Sequence, residues 1–135
     1  MRVHISLPVS DLNKSQAFYA SMFGQPASKV RDDYLNFRLD EPAIHLALVQ
    51  SERAEAHASQ HFGVELPDAE SFASWQERAL QAEKAMAVEP EPDAKCCYAR
   101  AEKVWLVDPD GHRWELWHRT GEYDAMIEKP AACCG

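Results

Sequence analysis

Two cysteines stand side by side in this chain, at Cys96 and Cys97. Neighbouring cysteines rarely form a relaxed disulfide with each other, because the short ring that they would close conflicts with the usual disulfide geometry. Deprotonated thiols are the ligands that select soft metals and metalloids. The pair therefore favours a two-point clamp for such a species, although two ordinary cysteines, one inside and one outside a strand, are the alternative.

The residues before the pair indicate how the thiols are carried. Residues 89–95 are polar and contain two prolines, which is typical of a flexible loop, and the segment ends at Lys95, whose charge favours thiolate. A second pair, Cys133 and Cys134, stands beside the terminal Gly135. We expect that pair to lie in a disordered tail, as a weaker candidate for capturing the same kind of ligand.

A repeated spacing singles out two histidines. His4 precedes Asp11 by seven residues and His61 precedes Asp68 by seven, so the offset is 57 in both cases (61 minus 4; 68 minus 11). Each aspartate stands just before a predicted helix. Internal duplication predicts which positions become equivalent when two modules pair. We therefore expect His4 and His61 to be equivalent in space.

Glu115 is the third candidate for a metal site, because it stands alone among aromatic and apolar neighbours. If the first strands of the two modules lie side by side, His4 and His61 present imidazoles to one point and Glu115 arrives from the last strand. Two imidazoles and one carboxylate on one side of a divalent ion leave coordination positions open, as in non-heme Fe(II) oxygen chemistry. The alternative is that both histidines are structural and the glutamate faces solvent.

His45 is harder to interpret. It falls loosely opposite Glu115 in the repeat, which would allow a fourth ligand, but its apolar neighbours equally predict a residue that lines the cavity. Solvated or structural roles are expected for the remaining histidines, and core or cavity-wall positions for three tryptophans. These residues are His57, His112 and His118, and Trp105, Trp114 and Trp117.

The elements that must position these residues follow one order twice. The fold class is α+β, with two tandem βαβββ modules forming a curved mixed sheet around a metal site. The first module, 1–50, has strands predicted over 3–8, 27–30, 34–39 and 43–49 and a helix over 12–23. The second, 51–119, starts near 61, with a helix over 69–84 and strands near 85–89, 97–101, 103–107 and 113–118. Residues 120–135 form a tail, and the whole is one domain.

Composition excludes several classes of protein. At 135 residues with 46% hydrophobic residues, the chain fits a single core. The net charge of -8 argues against a nucleic-acid partner, and no apolar run of about 18 residues predicts a membrane span. No Gly-rich phosphate loop appears. Without a recognisable secretory signal or a spaced disulfide framework, the expected compartment is the reducing cytoplasm.

The motifs together resemble the vicinal oxygen chelate superfamily, which has the glyoxalase/bleomycin resistance/dioxygenase fold. They are similar to its arsenic and cadmium resistance branch, whose characterised enzymes are carbon–arsenic lyases acting on trivalent organoarsenicals. The fold pattern is shared widely, whereas the vicinal cysteines are particular to that branch. The resemblance covers about residues 2–119 and is carried by His-Phe-Gly-Val-Glu at 61–65, Cys-Cys-Tyr-Ala at 96–99, Lys-Val-Trp at 103–105, Pro-Asp-Gly at 109–111 and Trp-Glu at 114–115.

The resemblance implies a role for each candidate residue. The implied Fe(II) ligands are His4, His61 and Glu115, and the implied organoarsenical site is Cys96 with Cys97, beside an apolar wall that includes Tyr98. Some relatives have Gln where this chain has His4, and an imidazole there still completes a triad. His45 stands where a Lys is expected, so it inherits no role.

The implied activity is that of an Fe(II)-dependent dioxygenase that converts methylarsenite and dioxygen to arsenite. Two other classes stay open. A glyoxalase-like isomerase or thiol transferase would use the metal as a Lewis acid without consuming oxygen. A sequestering protein would bind Cd(II) or arsenite stoichiometrically. Small proteins of this fold often form homodimers, although all three implied metal ligands can come from one chain.

Overall fold

The computed structural model describes residues 1–56, 60–81, 87–96 and 99–122, with only the backbone of residues 87, 88 and 96. It confirms the predicted α+β architecture of two tandem modules. The first comprises β1 (Val3–Val9), α1 (Leu12–Phe23), β2 (Lys29–Val30), β3 (Tyr34–Arg38) and β4 (Ile44–Gln50). The second comprises β5 (His61–Glu65), α2 (Ala69–Gln81), β6 (Ala87–Cys96), β7 (Ala99–Val107) and β8 (Arg113–Glu122).

Each module forms its own four-stranded mixed sheet. The strand orders are β1-β4-β3-β2 and β5-β8-β7-β6. The first strand of each module runs parallel to the last, and the other neighbours are antiparallel. His4 on β1 and His61 on β5 therefore each lie on an edge strand, in different sheets.

The same capping hydrogen bond is found at the start of both helices, as the duplication predicts. The Asp11 carboxylate accepts a hydrogen bond from the backbone N–H of Lys14 at 3.0 Å, and Asp68 accepts one from the N–H of Ser71 at 2.7 Å. These donors are again 57 residues apart (71 minus 14). Both aspartates act as N-caps, which satisfy helix N–H groups that have no intrahelical partner. The hydrogen bond from Ser71 lowers the pKa of Asp68.

One face of each sheet packs against the helices to form the core. Side chains alternate between the two faces of a strand, so the core face takes every second residue. The buried strand residues of this face include Leu7, Val9, Leu35, Phe37, Leu46, Leu48, Val64, Val104, Leu106, Trp114 and Leu116. The residues between them face the other way, and they include His4, His45, His61 and Glu115.

A buried polar network joins the modules. The Tyr19 hydroxyl on α1 donates to Asp108 Oδ2 at 2.7 Å and accepts from Trp114 Nε1 at 3.1 Å. His112 Nδ1 lies 2.8 Å from the same Asp108 oxygen. Burial, and then the Asp108 carboxylate, raise the pKa of Tyr19 well above its usual value. The network fixes the turn between β7 and β8 against the first helix.

Two local predictions were wrong. Residues 89–95, expected to be a loop, lie in β6, which pairs with β7 and shifts register between Glu91 and Ala94. An edge strand tolerates proline at such a bulge, where Asp93 has a positive φ of 49°. Two strands were expected over 97–101 and 103–107. The described residues 99–107 form one continuous strand, β7. No helix in the described part is long and apolar enough to span a membrane.

Candidate metal centre and thiol pair

His61 and Glu115 meet on neighbouring strands of the second sheet. His61 Nε2 lies 3.8 Å from Glu115 Oε1, which is too long for a hydrogen bond. Zn(II), as an example of a divalent first-row ion, binds imidazole nitrogen and carboxylate oxygen at about 2.0–2.2 Å, so two donors on one ion lie at most about 4.3 Å apart. The two groups therefore fit a single divalent ion between them.

Lys103 on β7 holds the other oxygen of that carboxylate. Its Nζ lies 3.2 Å from Glu115 Oε2, and the lysine is only 7% exposed. With Oε2 held by the ammonium, Oε1 is the oxygen turned toward His61. Outer partners of this kind orient a metal-binding carboxylate. Sequence reasoning noted Lys103 only as part of a motif, because a lysine in a strand usually faces solvent.

Trp105 forms a wall beside this pair. The centre of its ring lies 5.2 Å from the centre of the His61 ring. The Arg113 guanidinium carbon lies 4.5 Å from the centre of the Trp105 ring. Trp105 Nε1 donates to Glu91 Oε2 at 2.9 Å. These contacts bury the indole and confirm the predicted position of Trp105 at a wall or in the core.

His4 lies beside a different residue, His45. The two rings are 4.7 Å apart between centres and meet edge to face, on the neighbouring strands β1 and β4. His4 is exposed and His45 is half-buried. Burial lowers the pKa of His45, with further lowering by His4 and by the cations Arg38, Arg2 and Lys29.

The described residues contain no group of three or more His, Cys, Asp or Glu side chains arranged to hold a metal ion. The structure brings His61 and Glu115 together and places His4 on the other sheet. A groove of about 440 Å³ between β1 and β5 is lined by Ser6 and Phe62 among others, and His4, His61 and Glu115 do not line it. The donor types fit a divalent ion, and the complete triad stays a prediction.

The family model for the Glyoxalase/Bleomycin resistance protein/Dioxygenase superfamily matches residues 2–116. The chain belongs to this superfamily. A crystal structure of a glyoxalase/bleomycin resistance protein/dioxygenase from Alicyclobacillus acidocaldarius has the same fold, with a TM-score of 0.73 at 19% identity, covering 89% of this chain and 92% of that one.

Two relatives indicate the branch of the superfamily to which this chain is similar. A trivalent organoarsenical cleaving enzyme from Thermomonospora curvata is 36% identical over 98% of this chain and 87% of its own. The cadmium-induced protein CadI of Mycobacterium tuberculosis is 31% identical over 86% of this chain and 74% of its own. The resemblance to the arsenic and cadmium resistance branch is thereby confirmed.

The strand register corrects the predicted pairing of His45 with Glu115. By register, the position equivalent to Glu115 in the first module is Ala47, and the position equivalent to His45 is Arg113. The expected pairing is therefore wrong by two residues, and Ala47 supplies no carboxylate to match Glu115. The register pairs are His4 with His45, Ser6 with Ala47, His61 with Arg113 and Gly63 with Glu115.

Cys96 lies at the end of the same sheet as Glu115. Cys96 is the last residue of β6 and pairs with Ala99, the first residue of β7. The side chain of Cys96, and the whole of Cys97, Tyr98, Cys133 and Cys134, fall outside the described residues. The clamp therefore stays a prediction, although the backbone puts Cys96 on the strand that precedes the Lys103 strand.

Two of the remaining histidines have structural surroundings. His112 is 7% exposed and belongs to the Asp108 network, as expected for a structural residue. His118 is half-buried, with Nδ1 3.4 Å from the Leu66 carbonyl oxygen. His57 lies outside the described residues. Trp114, 1% exposed, belongs to the core as predicted.

Proposed function

We propose that this protein is an Fe(II)-dependent dioxygenase that cleaves the carbon–arsenic bond of trivalent organoarsenicals and so supports organoarsenical resistance. The observation that carries the proposal is the His61–Glu115 pair, backed by Lys103, in a chain 36% identical to a named organoarsenical cleaving enzyme. Methylarsenite is the simplest substrate and arsenite its product.

The proposed ligands of the ion are His61, Glu115 and His4. Bound there, Fe(II) would supply open coordination positions and the electrons with which dioxygen is activated. The Lys103 ammonium keeps Glu115 Oε2 occupied, so the carboxylate offers a single oxygen to the ion. The Trp105 indole, 3% exposed, keeps one side of the pair free of bulk water.

The proposed substrate clamp is Cys96 with Cys97. A trivalent methyl arsenical has two exchangeable oxygens, and two thiolates replace both while the carbon–arsenic bond survives. The β6–β7 pairing connects the backbone of Cys96 to the strand that carries Lys103 and Trp105. Holding the arsenical on this sheet raises its effective concentration beside the metal ligands.

The proposed reaction balances without an outside reductant. Methylarsenite, CH₃As(OH)₂, and dioxygen together contain the atoms of arsenious acid, As(OH)₃, and formaldehyde. The methyl carbon is oxidised, dioxygen is reduced, and arsenic stays trivalent. Formaldehyde is therefore the expected carbon product for the methyl substrate.

The test is anaerobic reconstitution of the full chain with Fe(II), followed by methylarsenite and air. Arsenite and formaldehyde are then quantified by chromatography. We expect many equivalents of arsenite per protein and formaldehyde in equal amount. An arsenite concentration that never exceeds the protein concentration would instead support a sequestering protein. That class stays an alternative because one relative is named as a cadmium-induced protein.

A further inference from the structure

We propose that Arg113 binds an anionic group on the organic part of the substrate, so that trivalent arsenicals whose organic group ends in a carboxylate bind more tightly than neutral ones. The inference rests on the proposed function for the arsenical itself. It deepens that function by naming a class of substrate and the residue that selects it.

Arg113 lies on the second sheet, on the same face as the His61–Glu115 pair. It stands directly across from His61 in the β5–β8 register, and Glu115 follows two residues later on β8. Residues two apart in a strand point to the same face and lie about 6.6–6.8 Å apart. The guanidinium therefore belongs to one group of side chains with the two candidate metal ligands.

The Trp105 indole contacts both the guanidinium and the imidazole. The Arg113 guanidinium carbon lies 4.5 Å from the centre of the indole ring, and the His61 ring centre lies 5.2 Å from it. A guanidinium stacked on an aromatic ring uses its flat face for that contact. Its N–H donors lie in the plane of the group, so they stay available at its edge to bind a carboxylate through two parallel hydrogen bonds.

The charge of Arg113 has no protein partner in the described part of the chain. None of the described residues forms a hydrogen bond or an ion pair with this half-buried side chain. Two carboxylates on neighbouring strands have other partners, because Glu115 contacts Lys103 at 3.2 Å and Glu91 accepts from Trp105 Nε1 at 2.9 Å. A partly buried cation without a counter-charge favours an anion from solution.

The position of Arg113 suits the far end of an organic group. The proposed function holds arsenic beside the ion that Glu115 binds, and the spacing of residues 113 and 115 along β8 is a distance that a propyl chain between arsenic and a carboxylate can cover. The reaction is unchanged for such a substrate. The carbon bound to arsenic is oxidised to an aldehyde, dioxygen is reduced, and arsenic stays trivalent.

The test compares carboxypropylarsenite with carbamoylpropylarsenite, in which a neutral amide of nearly the same shape replaces the carboxylate. Calorimetry under argon measures the binding of each to the Fe(II)-loaded full chain, so the result does not depend on cleavage. The ratio of the two dissociation constants isolates the contribution of the carboxylate. We expect the wild type to bind the acid about tenfold or more tightly, because hydrogen bonds between charged groups are strong, and Arg113→Met to lose this preference.

Two further variants separate charge from general damage. Arg113→Lys keeps the charge without the planar fork and should keep part of the preference. The matched control is Arg119→Met, further along β8, where the guanidinium already pairs with Glu122, and it should keep the whole preference. Equal dissociation constants for acid and amide in the wild type, or an unchanged preference in Arg113→Met, would overturn the inference. The wild-type ratio decides even if Arg113→Met does not fold.

The proposed function fails by a different result. It fails if the Fe(II)-loaded wild type in air releases no arsenite from methylarsenite, a measurement in which the carboxylate plays no part. A preference for the acid under argon without arsenite release in air would support Arg113 as an anion-binding residue and remove the dioxygenase. Arsenite release without a preference for the acid would do the reverse.

Discussion

Gly63 lies directly across the sheet from Glu115, and the glutamate side chain fills the space that a side chain at Gly63 would need. A Cβ at residue 63 would stand 2.9 Å from Glu115 Cγ and 3.2 Å from Oε1. The missing side chain is what allows the carboxylate to lie over β5 beside His61. Glycine in a strand interior often marks such a close approach.

Replacing this glycine should therefore weaken the metal site. Gly63→Ala is expected to push Glu115 away from His61 and to lower Fe(II) affinity by about tenfold or more. The measurement is an anaerobic Fe(II) titration against a competing chelator. Gly121→Ala is the matched control, because no described atom lies within 4 Å of a Cβ there. Equal Fe(II) affinity in Gly63→Ala and Gly121→Ala would show that Glu115 does not depend on this space.

Lys103→Met should affect the metal-free protein more than the metal-bound one. Without the ammonium 3.2 Å from Oε2, the largely buried Glu115 carboxylate loses its partner, which costs about 1–3 kcal/mol in the free energy of unfolding. A bound divalent ion takes over part of that role. Urea unfolding with and without the ion measures both losses, and Lys14→Met on the exposed surface of α1 is the control. A larger loss in the metal-bound protein would contradict the assigned role of Lys103.

Tyr19→Phe should weaken the junction between the modules. It removes the hydrogen bonds of the Tyr19 hydroxyl with Asp108 and Trp114, at a cost of about 1–3 kcal/mol. The raised pKa of Tyr19 also gives a pH signature. The folded state favours the neutral phenol, so this stabilisation is full below the unfolded pKa of about 10 and falls as the pH rises above it.

Urea unfolding at neutral pH and above pH 10 tests the Tyr19 prediction. The difference in stability between wild type and Tyr19→Phe should shrink at the higher pH. A difference that is absent at neutral pH, or that grows with pH, would mean that the network does not stabilise the fold in this way.

The thiols should control the substrate and leave the metal unaffected. Cys96→Ser and Cys97→Ser are each expected to abolish most arsenite formation, because one thiolate cannot replace both exchangeable oxygens of the arsenical. Fe(II) affinity should be unchanged, which serves as the internal control. Mass spectrometry of the protein with methylarsenite measures the loss of binding directly. Full arsenite formation by Cys96→Ser would end the clamp hypothesis.

The sequence predicted what depends on local signals. Asp11 and Asp68 identified both helix starts, since capping depends on the next three residues, and Gly24 identified the end of α1, where it adopts a positive φ of 68°. Burial along α1 depends less on local signals, because Ala17 is exposed whereas Tyr19 is buried. Tyr19 is buried because its hydroxyl bonds to Asp108, 89 residues away. Helical periodicity does not encode such a distant contact.

The candidate site depended even more on long-range pairing. The repeat identified His61, and the aromatic and apolar neighbours of Glu115 identified that residue. Only the strand register shows that Gly63 makes room for Glu115 and that Lys103 reaches it. The register also moved His45 away from the position equivalent to Glu115. Prolines in residues 89–95 indicated a loop, whereas an edge position and a bulge let them stay in β6.

Oxygen consumption tests the central claim most directly. An oxygen electrode measures the dioxygen consumed by the Fe(II)-loaded protein with methylarsenite, and the arsenite released is quantified in parallel. We predict that dioxygen consumed and arsenite released are equal in amount and that no arsenite forms under argon. Arsenite released at the same rate without dioxygen would contradict the dioxygenase.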